Sequence, residues 1–440
     1  PANTLSLHDA LPISFNINDI FETGIWPITI ASTLLKVGGY QRCFQIAEKL
    51  NESEYTNKYV MNNEKLRDLK DKSVKDIHHI KPIKPIPNRK INKKVPLADC
   101  FIASCEKGCP ISQDIPEYIR LVSEGKHLEA LKVIVLKNPL PFITGTICSH
   151  ACMSKCTRNF CDESVNIRNI KLQAAEKAYE KYITQLKQVD KSGAPVAIIG
   201  GGTTGLAAAY FLAREGMNVT IFEKRDSLGG IVKHVIPEFR IPKNSIQKDI
   251  ELVCSMGVKI ELNSERNSVD ELKKQGYKYI LFAIGAWKPG RLNIEGENVI
   301  NVLQFLEKLK NNDSELKIGK NVVVVGGGNT AMDAARAAKR VEGVENVYVV
   351  YRRTKKYMPA DVEELQLAIE EGVEFKELLS PVKVSNGVVK CEVMKLGEPD
   401  ESGRRRPVGS GDMVDIPADI VISAVGEKID TKKIGRASCR

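Results

Sequence analysis

Two glycine-rich loops, each between an apolar run and an alanine-rich segment, constrain the fold of this chain more than any other feature. The first loop contains Gly200, Gly202 and Gly205 and follows the apolar run at 196–199. Glycines at these spacings permit a tight turn after a buried strand and let the following helix pack closely against it. Short apolar strands alternate with amphipathic helices from about residue 195 onward, which is typical of a doubly wound α/β fold.

The residues around the first loop predict a site for the phosphates of a dinucleotide. The helix after the loop presents unpaired backbone N–H groups at its start, and such groups attract phosphate oxygens. A second apolar strand at 219–222 ends at Glu223, whose carboxylate can accept hydrogen bonds from ribose hydroxyl groups. Strand, loop, helix, strand and acid therefore occur in register. The alternative is a glycine turn with a structural role only.

The second loop differs from the first in the residues that follow its neighbouring strand. Gly326, Gly328 and Ala331 follow an apolar run at 321–325, and a strand at 347–351 is followed by Arg352 and Arg353. Guanidinium groups bind phosphate in a bidentate manner, whereas an acid at this position would repel a 2′-phosphate. We therefore expect NADP(H) at the second loop and the ADP half of FAD at the first. The alternative is that the arginines merely solvate a strand end.

Seven of the eleven cysteines fall in one short region and form two groups. The groups are Cys100, Cys105 and Cys109, then Cys148, Cys152, Cys156 and Cys161. The chain shows no basic start followed by an apolar stretch, so the cysteines favour a metal site over disulfides. The spacing favours iron–sulfur clusters, because the Cys-x2-Cys pairs typical of zinc sites do not occur here. Zinc and metal-free cysteines remain the alternatives.

The net charge of +10 is unevenly distributed along the chain. The excess of Lys and Arg falls mainly in residues 56–95, which also contain prolines and show little periodicity. We interpret 61–96 as a solvated basic linker, so nucleic-acid binding is not expected. No run of about 18 apolar residues occurs, so no membrane span is expected. The lack of a secretion signal favours a cytoplasmic location.

Several segments between residues 97 and 430 resemble one group of flavoproteins. They are NPLPFITGTIC (138–148), FEKRDSLGGIVKHVIPEFRIP (222–242), GGGNTAMDAARAAKR (326–340) and YRRTKKYMPA (351–360). The chain thereby resembles the small subunit of NADPH-dependent glutamate synthase and the amino-terminal half of dihydropyrimidine dehydrogenase. Segments 24–42, 105–119 and 139–159 are more similar to the selenate reductase flavoprotein subunit family, in which a barrel-like domain precedes the cysteine region.

The resemblance implies an α/β fold with two Rossmann-like dinucleotide-binding domains, for FAD and NADPH, preceded by an α-helical iron–sulfur domain. It implies that FAD is held by Gly200, Gly202, Gly205 and Glu223, with Gly229, Gly230, Arg240, Ile284 and Gly285 near the flavin. It implies NADPH at Gly326, Gly328, Asn329, Thr330 and Ala331, with Arg352 and Arg353 on the 2′-phosphate. The implied ligands of one or two [4Fe–4S] clusters are Cys100, Cys105, Cys109, Cys148, Cys152 and Cys156.

The sequence departs from the family at two ligand positions. Leu97 stands where the relatives carry a cysteine, and Lys171 is nearest to the position of a Gln or Glu ligand. A protonated lysine offers no lone pair to a metal ion, so the matched cysteines do not fill two complete clusters, although Cys161 can supply one more ligand. We therefore expect one cluster or a degenerate second site.

The expected domain order follows from these segments. Residues 1–14 and 435–440 join no periodic pattern and resemble translated sequencing-adapter sequence, so they are left out of the fold prediction. We expect a barrel remnant at 15–60, the linker at 61–96, an iron–sulfur domain at 97–190, FAD-binding residues at 191–318, NADPH-binding residues at 319–380 and a return to the FAD domain at 381–434. The segment that contacts the flavin after residue 430 in the relatives is not recognised, so weak or absent FAD binding is expected.

Together these features predict an electron-transfer oxidoreductase subunit. Electrons would pass from NADPH through FAD to the iron–sulfur sites and then to a downstream domain or partner subunit. No acid–base residue is assigned, because hydride transfer to flavin needs none. The residues His127, His150, His234 and Asp333 are interpreted as structural. The alternatives are an electron donor like the glutamate synthase small subunit and a non-catalytic scaffold with degenerate clusters.

Overall fold

A computed structural model describes residues 15–26, 28, 40–53, 60–76, 79, 102–186, 189–290, 292, 294–313, 316–399 and 405–430. The chain divides into two compact units, one up to Ala98 and one from Asp99 onward. Leu97, Cys100 and both terminal segments interpreted as non-native lie outside the described residues. Within the described residues, no helix is both long and apolar enough to cross a membrane.

The first unit is helical where it is described. Its helices are α1 (Ile17–Phe21), α2 (Gln41–Asn51) and α3 (Asn63–Ser73). The side chain of Asn62 accepts hydrogen bonds from two N–H groups at the start of α3. Ion pairs from Lys65 to Glu22 (2.9 Å) and from Lys72 to Asp19 (2.7 Å) join α3 to the segment around α1. Residues 63–73, within the predicted linker at 61–96, therefore form a capped helix with ion-pair partners.

The cysteine region is α-helical, as predicted. Its helices are α4 (Ser104–Gly108), α5 (Ile115–Ser123), α6 (His127–Val135), α7 (Pro141–Ile147), α8 (Ala151–Ser154) and α9 (Ile167–Gln185), and a 3-10 turn covers Thr157–Phe160. Helix α5 begins after Asp114, whose carboxylate accepts the N–H of Glu117. Helix α9 packs along α6 and α7 and buries Ala174 and Ala178 against them. Helices α4 and α8 also contact each other, which places Cys105 and Cys152 on neighbouring helices.

The first dinucleotide domain is a four-stranded parallel sheet with helices. In chain order it contains β1 (Pro195–Ile199), α10 (Thr203–Arg214), β2 (Asn218–Phe222), α11 (Gly230–His234), α12 (Lys243–Ser255), β3 (Lys259–Glu261), α13 (Val269–Lys274) and β4 (Tyr279–Phe282). The strand order is β3-β2-β1-β4. Asp249 of α12 is fully buried and accepts the backbone N–H groups of Phe142 and Ile143, which fixes the helical domain against this sheet.

The second dinucleotide domain is larger. In chain order the remaining elements are β5 (Lys288–Pro289), β6 (Glu295–Gly296), β7 (Val299–Asn301), α14 (Val302–Lys310), β8 (Asn321–Val325), α15 (Asn329–Lys339), β9 (Asn346–Tyr351), a 3-10 turn (Lys355–Tyr357), α16 (Val362–Glu370), β10 (Glu374–Glu377), β11 (Leu379–Ser385), β12 (Val388–Pro399), β13 (Arg405–Pro417), β14 (Ile420–Ser423) and β15 (Glu427–Lys428). The order β10-β9-β8-β14-β7 forms a parallel sheet, and β13-β12-β11-β6 forms a second sheet that packs on it. The predicted fold class is confirmed.

The expected boundaries between the two dinucleotide domains are wrong. Strand β14 pairs in parallel with β8, Ile420 beside Val322, and on its other side with β7. The elements β7, α14 and β11 to β14 therefore belong to the second domain rather than to the FAD domain. The physical reason is that β14 is buried on both faces and completes the second core. Its apolar sequence alone does not indicate which strands it pairs with. Strand β15 then pairs with β5, the strand that follows the first dinucleotide domain in the chain.

Candidate nucleotide and cluster sites

The glycines of the first loop are required by close backbone packing. A Cβ atom on Gly200, whose φ is +109°, would lie 2.4 Å from the carbonyl oxygen of Ala283. A Cβ atom on Gly205 would lie 1.9 Å from the carbonyl oxygen of Gly200, so α10 rests directly on the loop. Gly202 precedes α10 without a side-chain cap, which leaves the first N–H groups of this helix available to an anion.

Glu223 is held in place by the same loop. Its side chain is buried, one carboxylate oxygen accepts the N–H of Gly201 at 2.7 Å, and the other accepts the N–H of Arg225 at 2.9 Å. Each carboxylate oxygen keeps a second lone pair, which a ribose hydroxyl group can use. The predicted ribose contact is therefore compatible with a carboxylate that also fixes the shape of the loop.

A cavity of about 380 Å³ opens over the first loop. Of the predicted flavin-site residues, Gly200, Gly202, Glu223, Gly230, Ile284 and Gly285 line it. Gly205 lies beneath the cavity, and Gly229 supports it by donating its N–H to the carbonyl of Gly201 at 2.8 Å. The structure thus brings most of the predicted set to one cavity, although their cofactor contacts remain predictions.

Several cationic residues of this cavity were not identified from the sequence. The guanidinium of Arg225 lies 4.6 Å from the ring centroid of Trp287 and pairs with Glu307, and that of Arg266 lies 5.1 Å from the ring centroid of Phe222. The Nε atoms of both arginines are buried without a hydrogen-bond partner among the described residues. Unpaired buried N–H donors beside a glycine loop fit an anionic dinucleotide. The run 223–225 hinted at Arg225, but no local pattern marks Arg266.

Arg240 does not line this cavity, and its expected place near the flavin stays a prediction. It lines a neighbouring cavity of about 310 Å³, together with Asn329, Thr330 and Asp333. Its guanidinium lies 3.0 Å from the carboxylate of Asp333 and also pairs with Glu364. Two buried carboxylates attract the guanidinium toward α15 and α16. Ile231 lines both cavities, so they adjoin.

Asp333 is a buried member of an ion-pair network rather than an exposed residue on a helix face. Burial raises the pKa of Asp333 to about 6, although the charge of Arg240 opposes the rise. Arg336 continues the network through Glu364 (3.0 Å) and Glu371 (2.7 Å). The network ties α15 and α16 to the segment that precedes α12, which supports the structural role that the sequence predicted.

The second loop repeats the geometry of the first. A Cβ atom on Gly326 would lie 2.3 Å from the carbonyl oxygen of Ala424, whereas one on Gly328 would meet open space. Gly328 precedes α15 without a side-chain cap, and Ala331 is fully buried where the helix meets the sheet. Asn329 is fixed by two hydrogen bonds with Asp361, at 2.9 and 2.8 Å. The start of α15 can therefore receive phosphate, as the start of α10 can.

The two arginines after β9 differ in their surroundings. The Nε of Arg353 donates to the carbonyl oxygen of Arg405 at 2.9 Å, so this side chain is already engaged. Arg352 is exposed and has no hydrogen-bond or ion-pair partner among the described residues. Of the two predicted 2′-phosphate ligands, Arg352 is the one whose guanidinium is free to bind.

The described cysteines fall into two groups. Burial raises the pKa of Cys105, and the neighbouring Cys156 adds to the rise. Burial likewise raises the pKa of Cys152, with Cys148 and Cys109 adding to it. All five are free thiols, and Cys161 is exposed. A cluster held by Cys105 and Cys156 would also require Cys100, which lies outside the described residues.

The arrangement of these cysteines does not suit a single metal ion. Among the described residues, no three His, Cys, Asp or Glu side chains lie close enough together to hold one. A zinc ion needs its ligands within about 2.0–2.3 Å of one centre. A four-iron cluster is larger and spans thiolates that are further apart.

Lys171 lies beside the second cysteine group. It is 5% exposed, and its ammonium has no hydrogen-bond acceptor among the described residues. Burial lowers the pKa of Lys171, whereas Cys148, Cys152 and Cys109 act to raise it. The buried carboxylate of Asp249 also interacts electrostatically with Lys171.

Two of the three lone histidines have local contacts, whereas the buried Nδ1 of His127 has no hydrogen-bond partner among the described residues. His150 adopts a left-handed backbone conformation before α8 and lies 3.2 Å from the carbonyl oxygen of Cys148. His234 lies 3.4 Å from the carbonyl oxygen of Ser227, and burial lowers its pKa. His127 is at the start of α6, on the helical side of the molecule. None of the three lines either cavity described above.

Comparison with protein families divides the chain into three segments. Residues 185–439 match the pyridine nucleotide-disulphide oxidoreductase family, and residues 95–183 match dihydropyrimidine dehydrogenase domain II, 4Fe-4S cluster. Residues 7–81 match the N-terminal TIM-barrel domain of oxidoreductase YgfK. This last match overlaps both the segment interpreted as non-native and the predicted linker, so those two assignments stay proposals.

Curated relatives are similar over most of this chain. Oxidoreductase YgfK of Escherichia coli (strain K12) is 44% identical over 437 residues, which cover 96% of this chain and 42% of the relative. NADPH-Fe(3+) oxidoreductase subunit beta of Geobacter sulfurreducens (strain DL-1 / KN400) is 38% identical, covering 76% and 52%. The small chain of NADPH glutamate synthase of Escherichia coli (strain K12) is 34% identical, covering 74% of each chain. The chain thus spans less than half the length of YgfK.

Proposed function

This chain belongs to the pyridine nucleotide-disulphide oxidoreductase family, and we propose that it passes electrons from NADPH through FAD to iron–sulfur clusters. A downstream domain or partner subunit would accept these electrons, and the relative from Geobacter sulfurreducens is itself named as a subunit. The single observation that carries the proposal is the contact between the two cavities. Ile231 lines both of them, and the second is also lined by Asn329 and Thr330 at the start of α15.

The residues of the first loop would bind and orient FAD. The free N–H groups at the start of α10 would hold its pyrophosphate, and Glu223 would accept hydrogen bonds from a ribose. Arg225 and Arg266 would neutralise phosphate charge, because their buried Nε–H groups lack partners among the described residues. FAD, when bound, accepts a hydride from a nicotinamide and releases electrons singly.

The residues of the second loop would bind NADPH. The N–H groups at the start of α15 would hold its pyrophosphate, and Arg352 would select the 2′-phosphate. The nicotinamide end would then reach the cavity that Asn329, Thr330 and Arg240 line. This cavity adjoins the FAD cavity, so the protein would orient donor and acceptor without supplying an acid or a base.

The two cysteine groups would hold the clusters. Cys109, Cys148 and Cys152 would bind one cluster, and Cys105 and Cys156 would bind the other together with Cys100. Thiolate ligands of this kind need a reducing compartment, which is consistent with the cytoplasm as the site of action.

We place the lineage beside the selenate reductase flavoprotein subunits. This assignment is supported by the segments at 24–42 and 105–119 and by the barrel match at 7–81. For the terminal acceptor we propose only that it is an electron-accepting domain or subunit. The same barrel match disfavours a dedicated glutamate synthase small subunit, despite the 34% identity to that protein. A non-catalytic scaffold is the outcome that remains if the cofactors do not bind.

A pair of matched glycine variants tests the assignment of the two loops. In a version that spans the whole reading frame and is purified without oxygen, Gly202→Glu should abolish retention of flavin, because a carboxylate would repel the pyrophosphate. Gly328→Glu should leave the yellow flavin spectrum intact but abolish its reduction by NADPH. Flavin retained in Gly202→Glu would show that the FAD loop is misplaced. Wild-type protein without flavin or labile sulfide would overturn the electron-transfer proposal in favour of the scaffold.

A further inference from the structure

His150 lies between two cysteines in a strained backbone conformation. Its φ is +41°, in the left-handed region that a residue with a side chain rarely adopts. In this conformation the carbonyl oxygen of His150 accepts the N–H of Met153 at 2.8 Å, which starts α8. Cys148 and Cys152 are each two residues from His150, so its backbone angles set how the two thiols are placed. A conformation of this kind persists only where surrounding contacts hold it.

The side chain of Arg168 on α9 supplies such a contact. Its Nη1 lies 3.3 Å from the Nδ1 of His150. A guanidinium group has no acceptor, so in this contact the arginine donates and the ring nitrogen accepts. The carbonyl oxygen of Cys148, 3.2 Å from the same Nδ1, can only accept and so gives the ring no hydrogen bond in this tautomer. The hydrogen bond from Arg168 therefore orients the imidazole ring.

The other end of the guanidinium is held by the second dinucleotide domain. The Nη2 of Arg168 donates to both carboxylate oxygens of Glu363, at 3.0 and 3.2 Å. Glu363 is in the first turn of α16. Asp361, which precedes this helix, shares two hydrogen bonds with Asn329 at the start of α15. The carboxylate that holds Arg168 is therefore itself on an element that is tied to the second glycine loop.

The position of Arg168 is not explained by the stability of its own helix. It is the second residue of α9, where the positive end of the helix dipole disfavours a cation. An ion pair with the exposed carboxylate of Glu363 also contributes little to the stability of the protein, because water screens it. The two terminal nitrogens contact different partners, and this arrangement uses the rigid planar fork of arginine. The geometry is that of a bridge.

We propose that Arg168 is a positioning residue that bridges Glu363 to His150 and thereby fixes the cysteine loop at 148–152. This inference rests on the proposed function, in which Cys148 and Cys152 bind one cluster. Without the bridge, His150 relaxes from its left-handed conformation, and the two thiolates are no longer placed for the same cluster. Transfer of electrons to that cluster then slows, because distance and orientation set its rate. Arg168 acts on the loop and does not contact iron.

The experiment uses a version that spans the whole reading frame, purified without oxygen. Hydrogen–deuterium exchange reports on the N–H of Met153, which loses its acceptor when His150 relaxes. Arg168→Lys keeps a cation for Glu363 but cannot contact both partners, so exchange at Met153 should become about tenfold faster or more. Glu363→Gln removes the charge that holds the arginine and should accelerate exchange in the same direction. Stopped-flow absorbance should show cluster reduction slowed about threefold or more in Arg168→Lys.

Arg120→Ala is the matched control, because Arg120 forms ion pairs with Glu117 and Glu124 on α5 of the same helical domain. This variant also removes ion pairs, but it should leave exchange at Met153 and the rate of cluster reduction unchanged. If Arg168→Lys does not fold, Glu363→Gln serves for the same comparison.

The outcomes separate this inference from the proposed function. Wild-type exchange at Met153 in both Arg168→Lys and Glu363→Gln would overturn the inference alone, since the pair would then be an ordinary surface ion pair. Equal acceleration in Arg120→Ala would also overturn it, because any lost ion pair would loosen the loop. Wild-type protein without labile sulfide would overturn the proposed clusters and with them this role of Arg168.

Discussion

The guanidinium of Arg240 lies 3.0 Å from the carboxylate of Asp333, and this contact joins the segment before α12 to the helix that begins at the second glycine loop. Neither side chain is more than 13% exposed, so solvent screens the pair weakly. Arg240 also pairs with Glu364 of α16. A single arginine therefore links the two dinucleotide domains at the cavity where their proposed cofactors would meet.

Loss of this link should impair electron transfer more than cofactor binding. We expect Arg240→Ala to retain FAD but to slow flavin reduction by NADPH on the order of tenfold, equivalent to about 1.4 kcal/mol in the barrier. The reason is that donor and acceptor would no longer be held in one geometry. Stopped-flow absorbance measures the rate. Arg340→Ala is the control, since Arg340 pairs with Glu371 on the exposed side of the same network. Equal rates in the two variants would contradict the prediction.

The raised pKa of Asp333 predicts a pH-dependent stability. Its pKa is about 6 in the folded protein and 3.8 in the unfolded chain, so its stabilising contribution is fully present below pH 3.8 and is lost as the pH rises through about 6. Wild type should therefore lose on the order of 1–3 kcal/mol relative to Asp333→Asn between pH 4 and pH 7. Chemical denaturation of both proteins at each pH measures this difference. A difference that stays constant with pH would show that the carboxylate does not titrate in this range.

The choice of NADPH over NADH should depend mainly on Arg352. We expect Arg352→Ala to lower the ratio of kcat/KM for NADPH to that for NADH by about tenfold or more, since a charge-assisted hydrogen bond contributes about 1.5–3 kcal/mol. Arg353→Ala should lower the ratio less, because its Nε already donates to the carbonyl of Arg405. Steady-state kinetics with each nucleotide gives the two ratios. A larger effect of Arg353→Ala would assign the 2′-phosphate to that residue instead.

Two alanine substitutions should separate packing from binding at the glycine loops. In Gly205→Ala the new methyl group would lie 1.9 Å from the carbonyl oxygen of Gly200, so we expect destabilisation by on the order of 2–4 kcal/mol and loss of FAD. In Gly328→Ala the methyl group meets open space, so the melting temperature should hardly change. Thermal unfolding followed by circular dichroism compares them. Similar melting temperatures for both variants would refute the packing role of Gly205.

The sequence predicted both loops correctly because the relevant pattern is local. Gly200 and Gly326 each end an apolar strand, and in each case the glycine is required by a carbonyl group on the neighbouring strand. The spacing of these glycines therefore reflects a steric constraint, the lack of room for a Cβ atom, that any sequence with this turn must meet. Glu223 was predicted for the same reason, since it ends the next strand of the same unit.

Other parts of the site could not be predicted, because their residues are far apart in the chain. Arg266 reaches the first cavity from the loop after β3, and Trp287 reaches it from the segment after β4. Arg240 lines the adjoining cavity, where it pairs with Asp333 and Glu364, almost a hundred residues or more away in the chain. Electrostatic partners of this kind leave no periodic signal in the sequence.

The amino-acid sequence by itself determined the two strand–loop–helix units, the helical character of the cysteine region and the types of cofactor that these segments suit. Local steric and hydrogen-bonding requirements act over a few residues, and composition and spacing record them. Only the tertiary structure decided that β14 completes the second sheet, that Lys171 is buried and that Arg240 faces Asp333. These features depend on burial and pairing between residues that are distant in the sequence. The partner of an apolar strand or of a buried charge is set by the tertiary fold and not by the neighbouring residues in the chain.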